Sequence, residues 1–421
     1  MNKKIIENAK KTLIRNRRSK YTLPTNSKLY PAQWNWDSAF IALGYSNFNS
    51  DYSFKEIETL LSGQWRDGMV PHILFHKKDI NYTPNYKAWN CGKKVSSSGI
   101  TQPPILASVL RLIIERQKLS KKKIKKYYSF IFKIKKCLEW FIKYRDPKRT
   151  GLISILHPWE SGYDNSPLWD KPMNKIKIDM KLNYKRKDNK IVNASQRPLK
   201  IDYDRYVTIK NHLREMNYDP KKLYYKSKFN VVDVGFNSIF LKALKDLDFL
   251  LDCIDESSSF IKRYIVLNEK NLIKLFNTKK MIFKNKDLKN NTFTKIPSIT
   301  NFFMLYSDLK NKTVNRNLIK SLKKYCKKEK YLFPSISPDH KSFEEKRYWR
   351  GPVWINCNWI IYQGLKNKDK KFAEIIRKKT INLIEKNNFR EYYSCKSGQG
   401  MGAKNFSWSA ALYLDFILNR S

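Results

Sequence analysis

The sequence is short of acidic residues, of paired cysteines and of long apolar runs, and each shortage closes off a class of protein. Only 37 Asp and Glu stand against 85 Lys and Arg, a formal charge of +48. Taken alone, that excess points to nucleic acid or an anionic membrane surface. It is mostly Lys, however, spread almost evenly among abundant Ile and Asn, without the clustered Arg or the recognition fold that nucleic-acid binding requires. The even spread reads as genome-wide compositional drift carried on a solvated surface, so no nucleic-acid partner is expected. Local runs such as "KKKIKKYY" at 121–128 read as the polar face of a helix start or a loop.

The six cysteines (Cys91, Cys137, Cys253, Cys326, Cys357, Cys395) form no Cys-x-x-Cys pair and follow no export signal, since the basic first twenty residues lack a central apolar run. Free thiols in a reducing cytoplasm are expected. No apolar stretch reaches transmembrane length, so no membrane span is expected. Period-two alternation is scarce as well, which argues against a sheet-based fold.

What is present is helical periodicity. Phe236, Ile239, Phe240, Ala243, Leu244 and Leu247 share one face at spacings of three and four, as do Ile134, Cys137, Leu138, Phe141 and Ile142. Similar faces run through Phe54–Leu61, Ile105–Ile114, Ala373–Leu383 and Trp408–Leu418. The connections hold nearly all the Trp, Gly and Pro. Apolar helices as scaffold with aromatic-rich loops between them predict a helical toroid whose site lies at one mouth, built over residues 1–421 as a single catalytic domain. The polar, poorly periodic stretch 171–200 reads either as a mobile flap over that site or as a plain surface excursion.

Two carboxylates far apart in sequence sit in dense aromatic nests: Asp164 in "HPWESGYDNSPLWD" and Glu391 in "FREYYSCKSGQGMGAKNFSW". Aromatic faces stack on pyranose rings while a few polar groups orient the hydroxyls. Two carboxyl groups flanking one glycosidic bond are the apparatus of glycoside hydrolysis. Glu160 and Asp170 rival Asp164 in the same nest, and Asp164 also reads as a helix cap before Asn165-Ser166-Pro167. The competing reading of Glu391 is a surface ion pair with the adjacent Arg390. Asp37, in "QWNWDSAF", stands where a loop enters a helix and reads on position alone as an N-cap; Trp34 and Trp36 beside it form either a stacking wall or core. His72 and His76 have a zinc-compatible spacing, but Pro71 and the absent Glu of the metalloprotease pattern argue against a metal site. The alternating Gly398, Gly400 and Gly402 lack the strand and the Gly-Lys-Ser of a phosphate cradle; close approach of backbone amides to a substrate group is the expectation there.

These motifs, in order along the chain, resemble glycoside hydrolase family 63, particularly its bacterial branch of mannosylglycerate and glucosylglycerate hydrolases. The matching blocks are "YTLPTNSKLYPAQWNWDSAFIALG" (21–44), "QWRDGMVPHILF" (64–75), "GITQPP" (99–104), "HPWESGYDNSP" (157–167), "DYDRY" (202–206), "RYWRGPVWINCNWI" (347–360) and "FREYY" through "FSWSAAL" (389–412). The resemblance implies an (α/α)6 barrel that hydrolyses α-glycosidic bonds with inversion and needs no metal or organic cofactor. It implies Asp164 as general acid, its proton held by desolvation among Trp159, Tyr163 and Trp169, and Glu391 as general base, with about 6.5 to 9.5 Å between the carboxyls for a water. By the same resemblance Trp34, Trp36, Asp37, His72, Gln102, Trp159, Gly162, Arg205, Tyr348, Trp349 and Trp354 surround the sugar. For Arg205 the competing reading is an ion pair with Asp202 or Asp204. One departure is Cys395 to Ser397, which stand where Pro-Thr-like residues are expected and bear on recognition of the leaving group. The expected substrate is a small glycoside such as glucosylglycerate or mannosylglycerate. An α-glucosidase of gluco-oligosaccharides and a non-catalytic sugar- or nucleic-acid-binding barrel are the alternatives.

Overall fold

In the computed structural model, residues 2–25, 28–327 and 329–419 are described. Twelve helical segments alternate between an outer and an inner ring. In chain order they begin with α1 (Lys3–Asn16, outer), α2 (Asn35–Tyr45, inner), α3 (Ser50–Ser62, outer), α4 (Leu106–Arg116, inner) and α5 (Tyr128–Tyr144, outer). An extra helix, α6 (Lys200–Glu215), precedes α7 (Val234–Asp252, inner) and α8 (Ser259–Ile273, outer). A seven-residue 3-10 helix, Ile299–Leu305, takes the fourth inner place, followed by α9 (Lys312–Tyr325, outer), α10 (Ile355–Leu365, inner), α11 (Lys370–Asn387, outer) and α12 (Ser407–Leu418, inner).

The contacts close a ring: α2 on α4, α4 on α7, α7 on the 3-10 helix, that helix on α10, α10 on α12, and α12 back on α2. Each inner segment also packs on the outer helix that follows it, and the sixth pair is completed by α1 against α12. This is the (α/α)6 barrel that the family resemblance implies, and it fits the helical toroid read from the periodicity.

The residue pattern explains the two layers. Every residue of α2 is buried, and so is every residue of α12 from Ser407 to Ile417, because an inner helix meets neighbours on all sides. Outer helices such as α9 bury one stripe, Val314, Leu318 and Leu322, and give the rest to water. Asn and Asp side chains start many of them: Asn49 accepts from Tyr52 N, Asp233 from Phe236 N, Asn311 from Val314 N and Asp369 from Phe372 N. The 121–128 run forms a short helix and a 3-10 turn, with Lys125 pairing to Asp255. No helix among the described residues is long and apolar enough to cross a membrane.

Short strands serve the mouth of the barrel. β1 (Gln33–Trp34) pairs antiparallel with β2 (Ile73–Leu74), which brings the start of α2 beside His72. β3 (Arg390–Tyr393) and β4 (Gly400–Lys404) form a bulged hairpin between α11 and α12.

Candidate active site

The N-terminal ends of the inner helices converge on one cavity, and the sequence nests meet there. Of the residues singled out from the sequence, Trp34, Trp36, Asp37, His72, Gln102, Trp159, Gly162, Asp164, Tyr348, Trp349, Trp354 and Glu391 line it. Arg205 does not. It lies two residues beyond Tyr203 on α6, and at about 100° per residue the helix turns the two side chains to opposite sides. Tyr203 reaches the cavity, and neither Asp202 nor Asp204 forms an ion pair with Arg205 among the described residues. The arginine that lines the cavity is Arg197, from the segment read as a flap.

Glu391 is buried on β3, and its partner is not the adjacent Arg390. Its Oε1 accepts from Tyr30 OH at 2.7 Å and from Arg197 NH1 at 3.3 Å, while its Oε2 accepts from Ala403 N at 2.9 Å. The Arg197 guanidinium also donates to Tyr30 OH at 3.1 Å and to Asp188 at 3.1 Å, and lies 4.3 Å over the ring of Tyr348. Opposed donors on both oxygens fix the rotamer of Glu391. Gly402, with φ +64°, makes the close packing feasible: a Cβ there would lie 2.5 Å from Glu391 Oε2. The glycines of this loop therefore admit the carboxylate and the Ala403 amide that binds it, whereas the sequence suggested an approach to substrate.

Asp164 hangs from a loop pinned by Tyr206 OH, which donates to its carbonyl at 2.9 Å. Burial pushes its carboxyl up to about 7, with the Arg197 charge opposing and Glu391 adding to the rise. The enclosure differs from expectation. Trp159 lines the cavity, but Tyr163 turns away to donate to Asp233, the cap of α7, and Trp169 stacks on Tyr163 and donates to its carbonyl. Tyr82, Tyr203 and Tyr348 take their place around the acid.

The rival carboxylates have other duties. Glu160 is fully buried and held by Arg145 in two hydrogen bonds of 2.6 and 3.1 Å, with Thr101 N and Leu156 N as further donors. It therefore anchors the loop that carries Gln102. Asp170 receives both terminal nitrogens of Arg350 at 2.8 Å and does not line the cavity. The cap of the following 3-10 turn is Ser166 Oγ, not Asp164.

Asp37 occupies the first turn of α2, whose N-cap is Trp34, so it is not itself a cap. Its carboxyl is raised well above the usual range, by burial first and then by Glu391. Gln102 Oε1 accepts from Trp36 N at 2.9 Å and so satisfies one of the free amides at that helix end. Burial lowers His72 to about 3, which keeps the imidazole neutral. His76 is engaged elsewhere, hydrogen bonded to Gln33 at 2.7 Å and packed on Tyr21. No group of three or more metal-ligating side chains occurs among the described residues.

Trp349 and Trp354 stack at 3.7 Å with an angle of 3° between planes, forming a rigid wall. Trp36 Nε1, Trp408 Nε1 and His72 Nδ1 are buried in cavity-lining residues and have no hydrogen-bond partner among the described residues. Buried donors are normally satisfied, so a polyhydroxy ligand between aromatic walls is what this lining suits.

Sequence reasoning missed seven lining residues: Pro24, Tyr30, Tyr82, Arg197, Tyr203, Phe406 and Trp408. Pro24, Tyr30, Tyr203, Phe406 and Trp408 lie inside the quoted blocks, and that position was the available signal. Tyr82 and Arg197 lie outside the blocks, in stretches with no periodicity.

Residues 30–409 match the family model described as the mannosylglycerate hydrolase MGH1-like glycoside hydrolase domain. The chain is 39% identical over 413 residues to a mannosylglycerate hydrolase of Thermus thermophilus, spanning 96% of this chain and 99% of that one. It is 35% identical to mannosylglycerate hydrolase MGH1 of Selaginella moellendorffii, over 99% of this chain and 86% of the relative. The crystal structure of the family 63 mannosylglycerate hydrolase from Thermus thermophilus in complex with Tris and D-glycerate superposes with a TM-score of 0.94 at 38% identity, covering 99% of this chain and all of that one.

Proposed function

From its membership of the mannosylglycerate hydrolase MGH1-like glycoside hydrolase family, a family of hydrolases of small glycosides, we propose that this chain hydrolyses the α-linkage of a hexosyl glycerate with inversion at the anomeric carbon, with Asp164 as acid and Glu391 as base. The observation that carries the reading is the meeting in one cavity of Asp164, whose carboxyl burial pushes up to about 7, and Glu391, which accepts hydrogen bonds on both oxygens.

In this mechanism Asp164 passes its proton to the glycosidic oxygen as the bond to the anomeric carbon breaks. Glu391 accepts a proton from a water that attacks the opposite face of the ring, and the hexose leaves with inverted configuration. Tyr30, Arg197 and Ala403 N hold the base in line through this step. Asp37 and Gln102 bind hydroxyls, and the Trp349–Trp354 wall stacks on a sugar face.

Arg197 is the one cation among the described residues that line the cavity. A glycerate leaving group brings a carboxylate that suits it, a gluco-oligosaccharide brings none, and on this ground the acidic glycoside is preferred. The segment 171–200 acts as a flap in this reading: Arg197 reaches Glu391, and Gln196 receives Gly402 N at 3.0 Å and Tyr392 OH at 2.8 Å. The whole chain acts as one catalytic domain, with a cytoplasmic location supported by six free cysteines.

The deciding experiment follows mannosylglycerate and glucosylglycerate by proton NMR with native enzyme, Asp164→Asn and Glu391→Gln. Early release of the β-anomer, and rates lowered by about 10² or more in both variants, are expected. Turnover near the native rate in either variant removes that residue from its role, and an initial α-anomer excludes inversion.

A further inference from the structure

On the outer side of the β3–β4 hairpin lies a second cleft of about 450 Å3, bounded by the end of α1, the end of α11 and the hairpin itself. Its charged lining is entirely basic: Lys11, Arg15, Arg390 and Lys404. None of these four has a carboxylate partner among the described residues, whereas Lys10, one residue from Lys11, pairs with Glu7. The whole chain is basic, so positive charge alone means little. What marks this cleft is how the fold spends it.

Arg390 and Lys404 are register partners across the hairpin, and like charges directly opposite each other on two strands destabilise the pair. Lys11 and Arg15 stand four residues apart on α1, where like charges also repel. Two locally unfavourable pairs are thus assembled around one space. Arg390 is half-buried; its NH2 donates to Gly402 O at 3.1 Å, but its Nε has no partner among the described residues. Asn8, Thr12, Asn388 and Asn405 add amide and hydroxyl groups to the wall.

A simpler role for these cations is to complement the negative ends of α1 and α11. Each helix end carries about half a unit of negative charge, so the two together offset about one of the four positive charges. The remainder is unbalanced.

The geometry points to an oxyanion site for a phosphate group, either the free ion or a phosphate monoester, that clamps α1 to the hairpin bearing Glu391. A phosphate in the cleft offers acceptors to the cations that line it and relieves both like-charge pairs. Glu391 faces the catalytic cavity and Arg390 the cleft, as neighbours on a strand do. The site is therefore separate from the sugar site, and it stands whatever the sugar proves to be.

The test titrates native enzyme with inorganic phosphate and with glycerol phosphate, reading heat of binding by calorimetry and Tm by thermal melting, against KCl at equal ionic strength. Saturable heat and a saturable rise in Tm are expected with phosphate and not with KCl. Preference for the ester or for the free ion identifies the source. In the double variant Arg15→Ala/Lys404→Ala, which leaves every cavity residue in place, affinity should fall about tenfold or more. Because binding heat is read directly, a change in basal stability of the variant does not obscure the result. An equal response to KCl, no saturable heat in native enzyme, or unchanged affinity in the double variant overturns the proposal.

Discussion

Replacing Gly402 with Ala isolates the positioning of Glu391 from its chemistry. The new Cβ would stand 2.5 Å from Glu391 Oε2, 2.6 Å from Tyr392 Cε1 and 2.8 Å from Glu391 Cβ. Relief to an ordinary contact of about 3.4 Å requires the carboxylate oxygen to retreat by roughly 0.9 Å, away from the Ala403 amide that binds it. A misplacement of about 1 Å in a catalytic group costs on the order of 10² in rate, or about 2.7 kcal/mol of transition-state stabilisation. The left-handed backbone adds roughly 1–2 kcal/mol of strain to the fold. Gly398→Ala is the matched control: its φ is +78° and the three atoms nearest its Cβ, the first at 2.6 Å, all belong to the Tyr331 ring. Both variants should lose a similar amount of Tm. Steady-state kinetics with mannosylglycerate should show kcat reduced about 10²-fold only in Gly402→Ala. If Gly402→Ala keeps kcat within about threefold of native, or Gly398→Ala loses as much, the positioning argument fails.

Four further outcomes are expected. Activity should decline as pH rises through about 7, since Asp164 acts in its protonated form; a kcat profile flat from pH 6 to 8 would count against it as acid. The same shift has a stability consequence: the folded-state value lies above the ordinary one, so the stabilisation is complete at acid pH and is lost as pH rises through about 7. Asp164→Asn should therefore melt higher than native at pH 8, by a few kcal/mol at most, and not at pH 4. Arg197→Ala should raise KM for a glycerate-linked sugar more than for a neutral α-glycoside of the same hexose, and equal effects would detach Arg197 from the leaving group. Arg145→Ala should cost about 3–5 kcal/mol in chemical denaturation by leaving Glu160 buried and unpaired, and a cost below 1 kcal/mol would contradict the anchoring role.

Half of each ring was legible from spacing: Phe54–Leu61, Ile134–Ile142 and Ala373–Leu383 fall on the outer helices α3, α5 and α11, and Ile105–Ile114, Phe236–Leu247 and Trp408–Leu418 on the inner helices α4, α7 and α12. Two other inner segments carried no such signal. Asn35–Tyr45 is buried all round and carries little periodicity, and the Ile299–Leu305 turn is too short to show any. The family resemblance brought Asp164, Glu391 and the tryptophans to one place, while Arg197 escaped because its surroundings are Lys-rich and aperiodic. Arg205 and Tyr203 share the "DYDRY" block, and only their places on the helix, on opposite sides of it, set Tyr203 toward the cavity.

The closing of the barrel by α1 against α12 has a further consequence. Asn16 on α1 donates at 2.8 Å to the carbonyl of Asn405 and to the hydroxyl of Ser407, across 389 and 391 residues of chain. During synthesis, then, the apolar stripe of α1 emerges long before its seat exists. Such distant partners make assembly slow and leave sticky surface exposed to neighbouring nascent chains in the meantime. On the ribosome, the hazard of this architecture falls on α1, whose partner helix is made so much later.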